Sequence, residues 1–314
     1  MLEERGSIAR VSLAVSIRLL LVILTFVLII VLSQVALVSA RTRLERADLP
    51  TIAQQAWEGT SDYFTSLAAG SLGEATSTSI LGGQRRAMGQ LLVDAYTKSM
   101  VLVLLAVGLA TVLGMVAGVL AAASRRARVR AVLLTLTTLT VSVPSFLLAI
   151  LLILGGAEVN ARYGVRLWPT FGFGIDDHLI VPVLVLAARP FAQIANFAYV
   201  ATEDVLKLDY IRTARAKGLI ESVIVARHAL GNAAVPIIGA IATGLSIALS
   251  TLPVVEVFFS WPGLGFALLQ AIRRFDAATT GTLLGSLAVT IAVVRFGLDA
   301  LASRFAHRAT GATT

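Results

Sequence analysis

The sequence predicts an all-α fold, a polytopic membrane bundle of about six helices with a small external subdomain and one short helix projecting on the basic side. Three observations predict it. The 314 residues are 57% hydrophobic and only 14% charged, against about a quarter charged in a soluble protein. The apolar residues gather into stretches near 20 residues long, the length an α-helix needs to cross roughly 30 Å of hydrocarbon. Lys and Arg are spread unevenly over the segments between those stretches, as the positive-inside rule requires.

In chain order, the spans read as 19–38, 100–123, 131–157, 179–201, 233–257 and 279–298. The fourth carries Arg189 and Pro190, and the last is apolar only to Val294. Residues 1–40 form an N-terminal tail and first span. A segment over 41–98 mixes both charge signs with Gly70, Gly73, Gly82 and Gly83, and reads as an external subdomain of short helices and loops. The membrane domain then covers 99–302, with a polar loop at 203–236, and 303–314 is a tail. The start of the chain also resembles a cleavable signal peptide: basic residues, an apolar run from Leu19 to Leu32, then Val38-Ser39-Ala40.

Charge orients the bundle. With the N-terminus inside, the inner segments hold Arg5, Arg10 and Arg18, the cluster Arg125 to Arg130, the run Lys207 to Arg227, and Arg295, Arg304 and Arg308. That is fifteen basic residues against ten outside, and six of those ten lie in the long 41–98 segment, where bias counts for less. Both termini are therefore expected in the cytoplasm. The net charge of +8 follows from this asymmetry and does not call for nucleic acid as a partner. With no cysteine, disulfides and thiolate chemistry are excluded.

The loop between spans four and five is the informative stretch. Asp209 to Gly218 reads D-Y-I-R-T-A-R-A-K-G, and Arg227 to Pro236 reads R-H-A-L-G-N-A-A-V-P. A helix is expected to leave the membrane and stop at Gly218, where a left-handed cap is available. A second short helix, about Glu221 to Leu230, is expected to stop at Gly231, with Pro236 near the start of span five. Small Thr213, Ala214 and Ala216 would let another surface approach, and Val223, Val225, Ala226, Ala229 and Leu230 would form an apolar side. Such a helix suits a groove on a soluble partner. An ordinary basic loop obeying the positive-inside rule is the plainer alternative.

The Asp209–Gly218 segment resembles the D-Y-V-R-T-A-R-A-K-G signature of dipeptide/oligopeptide-type permeases of binding-protein-dependent importers. Arg227–Pro236 is similar to the R-H-A-L-x-N-A-x-x-P that follows it. Phe259-Ser260-Trp261-Pro262-Gly263-Leu264-Gly265 resembles the family's external segment after span five, and Gly70-Ser71-Leu72-Gly73 looks like its G-D-L-G. The resemblance implies an ATPase-coupling loop containing Arg212, Thr213, Ala214, Arg215, Ala216, Lys217, Gly218, Glu221, Arg227, His228, Asn232 and Pro236. It also implies contacts of Phe259, Trp261, Pro262, Gly263 and Gly265 with an extracytoplasmic substrate-binding protein. The partners it implies are a second permease subunit of similar fold, two ATP-binding subunits, the binding protein and membrane lipid. This chain has no G-x-x-x-x-G-K-[ST] phosphate loop, so ATP and Mg would sit on the partner ATPases and no enzyme activity is expected here. The resemblance places the chain in the inner membrane, with short peptides as favoured cargo and nickel chelates, glutathione-like peptides or oligosaccharides as alternatives.

Several positions depart from the family pattern. Ile220 stands where a Ser or Thr cap is usual, Ser222 and Val223 replace basic residues, and Gly231 replaces an Arg. Asn196 and Tyr199 occupy positions of family arginines in span four, and the C-terminal Asp-Pro-Arg is reduced to Ala306-His307-Arg308.

Arg189 is costly in a span, and such charges face the bundle interior or a water cavity. It is expected either on the translocation path or paired with a carboxylate such as Glu256, itself a candidate for the path or its gate. Arg295 and Asp299 are spaced for an i,i+4 ion pair, and Trp168 and Trp261 are expected at the outer interface. His178, His228 and His307 lie far apart and suggest no metal, and Asp176-Asp177 reads as a solvated external pair. Two other function classes fit the composition: an ion-gradient-driven secondary transporter using Arg189 and Glu256, and a membrane scaffold that docks a soluble protein without transport.

Overall fold

The computed structural model describes residues 2–45, 48–70, 87–169 and 172–311; side chains within 2–15, 18, 42–45, 299 and 301–311 fall outside the description. The described residues are mostly helical, joined by short turns and loops, without a regular strand. Six helical segments are long and apolar enough to cross a membrane: Leu19–Arg41, Met88–Ala123, Ser145–Tyr163, Asp177–Leu206, Glu221–Phe258 and Ala277–Leu298. The expected all-α bundle is therefore present, with corrections at several boundaries.

The third expected span, 131–157, is not one helix. It divides into α4 (Ala127–Ser142) and α5 (Ser145–Tyr163) around Val143 and Pro144, both with extended ψ (123° and 140°). The residue before a proline is pushed out of the helical region, which ends α4 there. Only α5 is then apolar and long enough to span. The 41–98 segment also differs from short helices and loops. α1 (Leu2–Glu45) runs into it, α2 (Leu49–Ala68) occupies its middle, and α3 (Met88–Ala123) begins twelve residues before the expected 100. Polar residues at a helix end lying outside hydrocarbon cost nothing, so hydropathy underestimates such helices. Of the Gly70–Gly73 motif, Ser71 to Gly73 lie outside the described residues. The remaining elements are a 3-10 turn at Asp177–Leu179, then α6 (Ile180–Leu206), α7 (Asp209–Ala216), α8 (Glu221–Val223), α9 (Leu230–Phe258), α10 (Leu264–Arg273) and α11 (Ala277–Gly311).

The chain forms two compact units. One comprises residues 1–96 and 264–293. In it, Met88, Leu91 and Ala95 of α3 pack with Leu264, Ala267 and Ala271 of α10 and Leu283 of α11. Gly281 and Gly285 of α11 lie against Ile30 and the Phe26 ring of α1, and Thr282 Oγ1 donates to Tyr63 Oη of α2 (3.2 Å).

The other unit comprises residues 97–263 and 294–314, and it carries the loop of interest. Its centre is the packing of α6 with α9, supported by α3, α4 and α5. Gly114 and Gly118 let α3 lie directly on α6. A Cβ at Gly114 would come within 2.9 Å of the Phe191 carbonyl, and one at Gly118 within 2.8 Å of Ala198 Cβ. This is the small-xxx-small device of membrane helices, where close backbone approach replaces a hydrophobic driving force.

Candidate functional site

The loop after α6 folds as a closed miniature core. Leu206, Ile211, Ala214, Ile224 and Ala229 are buried together, with Ala122, Val205 and Val225 packed on them. α7 ends in a Schellman cap: Gly218 has φ 77°, its N–H donates to the Arg215 carbonyl (3.0 Å), and the Leu219 N–H donates to the Ala214 carbonyl (3.3 Å). Both bonds satisfy carbonyls that the end of a helix leaves open. The cap turns the chain sharply and leaves Leu219 and Ile220 at its tip, 42% and 66% exposed.

The second helix does not stop at Gly231. α8 passes into a wide, π-helical stretch over Ile224–Ala229 and continues as α9 without a break, so Gly231 and Pro236 are interior residues of one long helix. Gly231 therefore takes a helical conformation at a cost of about 1 kcal/mol relative to Ala, and Pro236 leaves the Asn232 carbonyl without its helical donor. The spacing reads the loop correctly as two helical pieces and misjudges where the second ends.

Polar contacts hold the two pieces together. Arg215 pairs with Glu221 across the cap through two bonds (2.6 and 3.3 Å), and Arg125, from the α3–α4 connection, approaches the same carboxylate at 3.7 Å. The hydrogen bonds it donates to the Glu221 carboxylate, more than the charge of that group, hold the Arg215 guanidinium above its usual pKa. At about a third exposed, such a pair contributes no more than about 1 kcal/mol. Asn232 Nδ2 donates to both Tyr210 Oη (2.7 Å) and the His228 carbonyl (3.0 Å), tying α7 to the start of α9.

The twelve expected loop residues thus divide by environment. Arg212, Thr213, Ala216, Lys217, Gly218, Arg227, Asn232 and Pro236 are exposed, as is Arg215, while Glu221 and His228 are half-buried. Ala214 is buried at 8% and faces the miniature core, so it offers no surface to a partner; the expected open side at this position is corrected. Ala229 is likewise buried inward. The residues sequence reasoning missed are Tyr210, Ile211, Ile224 and Arg125. Ile211 and Ile224 carried a signal, as β-branched apolar residues within a polar loop. Arg125 is far away in sequence and carried none.

The Phe259–Gly265 segment is a second built feature. Its Phe259 and Trp261 side chains are 2% and 0% exposed, so neither is an interfacial anchor or presents its ring to a binding protein. The cause is a turn wrapped on Glu256. Trp261 N–H donates to the Glu256 carbonyl (2.8 Å) and Ser260 N–H to the Val257 carbonyl (3.3 Å), with Ser260 in the left-handed region (φ 55°). Trp261 Nε1 donates to the Lys98 carbonyl (3.2 Å), and its ring meets Phe173 edge-on at 4.7 Å. Glu256, fully buried, accepts from Ser99 Oγ at 2.5 Å. Gly263 is required here, because a Cβ would stand 2.5 Å from both the Glu256 carboxyl carbon and Ser99 Oγ. Gly265 is also buried, and Pro262 of this segment is half-buried.

Arg189 is not paired with Glu256. It sits inside α6, half-buried, its Nε buried with no hydrogen-bond partner. A central arginine costs about 2.5–3.5 kcal/mol on insertion scales. Arg295 donates to Ser246 Oγ of α9 (3.1 Å), and the side chain of Asp299, its expected partner, lies outside the described residues.

The family model described as binding-protein-dependent transport system inner membrane component matches residues 114–311. The peptide transport system permease protein SapB of Salmonella typhimurium is 30% identical over 244 residues, 68% of this chain and 76% of the relative. The di/tripeptide transport system permease protein DppB of Pseudomonas aeruginosa is 32% identical over 263 residues, 76% of each chain. The putrescine export system permease protein SapB of Escherichia coli is 29% identical over 244 residues, 68% of this chain and 76% of the relative. The family match runs through the capped loop, the Glu256 turn and the helices that carry both, and the chain belongs to the family of binding-protein-dependent transport system inner membrane components.

Proposed function

We propose that this chain is the permease subunit of an ATP-driven importer of short peptides, and that Asp209 to Ala229 couples it to a cytoplasmic ATPase. The observation that carries the reading is the tip of the loop. Leu219 and Ile220 project from a cap whose own apolar residues are already buried against one another. Exposed apolar residues on a rigid, internally satisfied projection fit a groove on a soluble partner. The permease relatives named for peptide and di/tripeptide transport support the cargo. In this reading ATP and Mg belong to two partner subunits, the chain itself carries out no catalysis, both termini are cytoplasmic, and a second permease and an external binding protein complete the assembly. Movement of the docked loop passes to the bundle because the second helical piece is continuous with α9, a rigid-body route to switching.

The test is co-purification with its native ATPase, from detergent, for wild type and Ile220→Asp. Loss of the ATPase from Ile220→Asp, with its size-exclusion profile unchanged, supports the docking tip. Retention of the ATPase at wild-type stoichiometry rules it out.

A further inference from the structure

We propose that Arg189 is a recognition residue for an anionic group on the transported solute, so that this permease favours solutes bearing a free carboxylate and disfavours polyamines. The proposal rests on the peptide-importer reading and adds a selectivity to it.

The argument begins with the face of α6 on which Arg189 lies. At about 100° per residue, Gln193, Asn196 and Glu203 all fall within about 40° of Arg189 around the helix. This gives a largely polar seam, interrupted by the exposed Val200, from the middle of a membrane-spanning helix to its basic-side end. The apolar cleft of about 420 Å³ between α3, α4, α5 and α6 is lined from α6 by Leu184, Ala187, Ala188 and Phe191, which occupy the other half of the helix. Arg189, Gln193, Asn196 and Glu203 are each half-buried. A half-exposed polar seam at membrane depth is compatible with water or protein and incompatible with lipid.

Charge accounting along the seam isolates Arg189. Glu203 and Asp204 both approach Lys207 (3.5 and 4.0 Å), and Asn196 accepts from Thr137 Oγ1 of α4 (3.0 Å). Arg189 has no hydrogen bond or ion pair among the described residues, and its Nε is buried. Gln193, one turn below, likewise has no side-chain hydrogen bond among them. An uncompensated guanidinium next to an unused amide, both within the span, provides a fork of donors for a carboxylate. The same uncompensated charge repels a diamine.

The experiment uses the full transporter, with its ATPases and binding protein, in proteoliposomes. ATP-dependent uptake of Ala-Ala, its C-terminal amide and putrescine is measured for wild type, Arg189→Gln and Arg189→Lys. Wild type is expected to take up the free acid about tenfold faster than the amide, the size of one charge-assisted interaction. Arg189→Gln is expected to bring that ratio to within about twofold, and Arg189→Lys to restore part of it. If Arg189→Gln slows acid and amide equally and leaves the ratio intact, Arg189 has a structural role and the inference is overturned while the peptide reading stands. Uptake of putrescine in preference to both peptides, or of none of the three, overturns the peptide reading and this inference with it.

Discussion

Replacing Ile224 with Ala removes three carbons from a side chain that is fully buried in the small core under the loop, against Leu206, Ile211, Ala214 and Ala229. Ile-to-Ala changes in cores cost about 2–5 kcal/mol, more where the surroundings cannot collapse. Collapse is restricted here, because Ile224 opens the π-helical stretch that continues into α9, and its neighbours are held by the Gly218 cap. A cost of about 3 kcal/mol is the working figure, which raises the local opening equilibrium roughly 100- to 200-fold. Hydrogen exchange of the purified protein, followed by mass spectrometry over peptides within 205–230, reads this directly, since exchange there proceeds through local opening. Protection in α6 and in the buried part of α9 around Ala248 to Leu252 is expected to stay unchanged. Ile220→Ala serves as the contrast: its side chain is 66% exposed, and such surface changes fall within about 0.5 kcal/mol. If Ile224→Ala speeds loop exchange by less than about threefold, or if Ile220→Ala speeds it as much, the separation into buried core and exposed tip is wrong.

Two further outcomes follow from the geometry. Gly263→Ala should destabilise the protein by about 1–3 kcal/mol, the usual cost of overpacking, because the new methyl meets the Glu256 carboxyl group and Ser99 Oγ; an unchanged thermal midpoint in detergent would show that the turn relaxes freely. Tyr210→Phe and Asn232→Ala should each cost about 1 kcal/mol of loop stability and together less than their sum, since both remove the 2.7 Å bond between them. A double-mutant cycle by hydrogen exchange, with a coupling of about 0.5–1.5 kcal/mol, measures it, and strictly additive effects would deny the link.

The six spans were legible because crossing hydrocarbon requires a run of apolar residues, and that requirement is one-dimensional. The loop was legible for a different reason: Asp209–Gly218 carries its own cap, and a glycine with positive φ is a local property. The break at Val143 and Pro144 had a local cause as well, but hydropathy averages over it. What the sequence by itself determined was therefore the apolar stretches that cross the membrane, to within their ends, and the position of the loop, but not where each helix breaks or continues. Tertiary structure alone decided which way Ala214, Ile224 and Trp261 point. An alanine in a polar loop reads equally well as a docking surface or a core residue until Leu206, from another helix, is placed beside it. Trp261 reads as an interfacial anchor until the Lys98 carbonyl, 163 residues earlier in the chain, accepts its indole N–H. The Arg189–Glu256 pairing looked equally reasonable in sequence, and was decided by Ser99 from α3 occupying the Glu256 carboxylate while the guanidinium stayed alone on α6. Local preferences are written in a stretch of residues, whereas a buried polar group's partner depends on which distant atom the fold delivers to it.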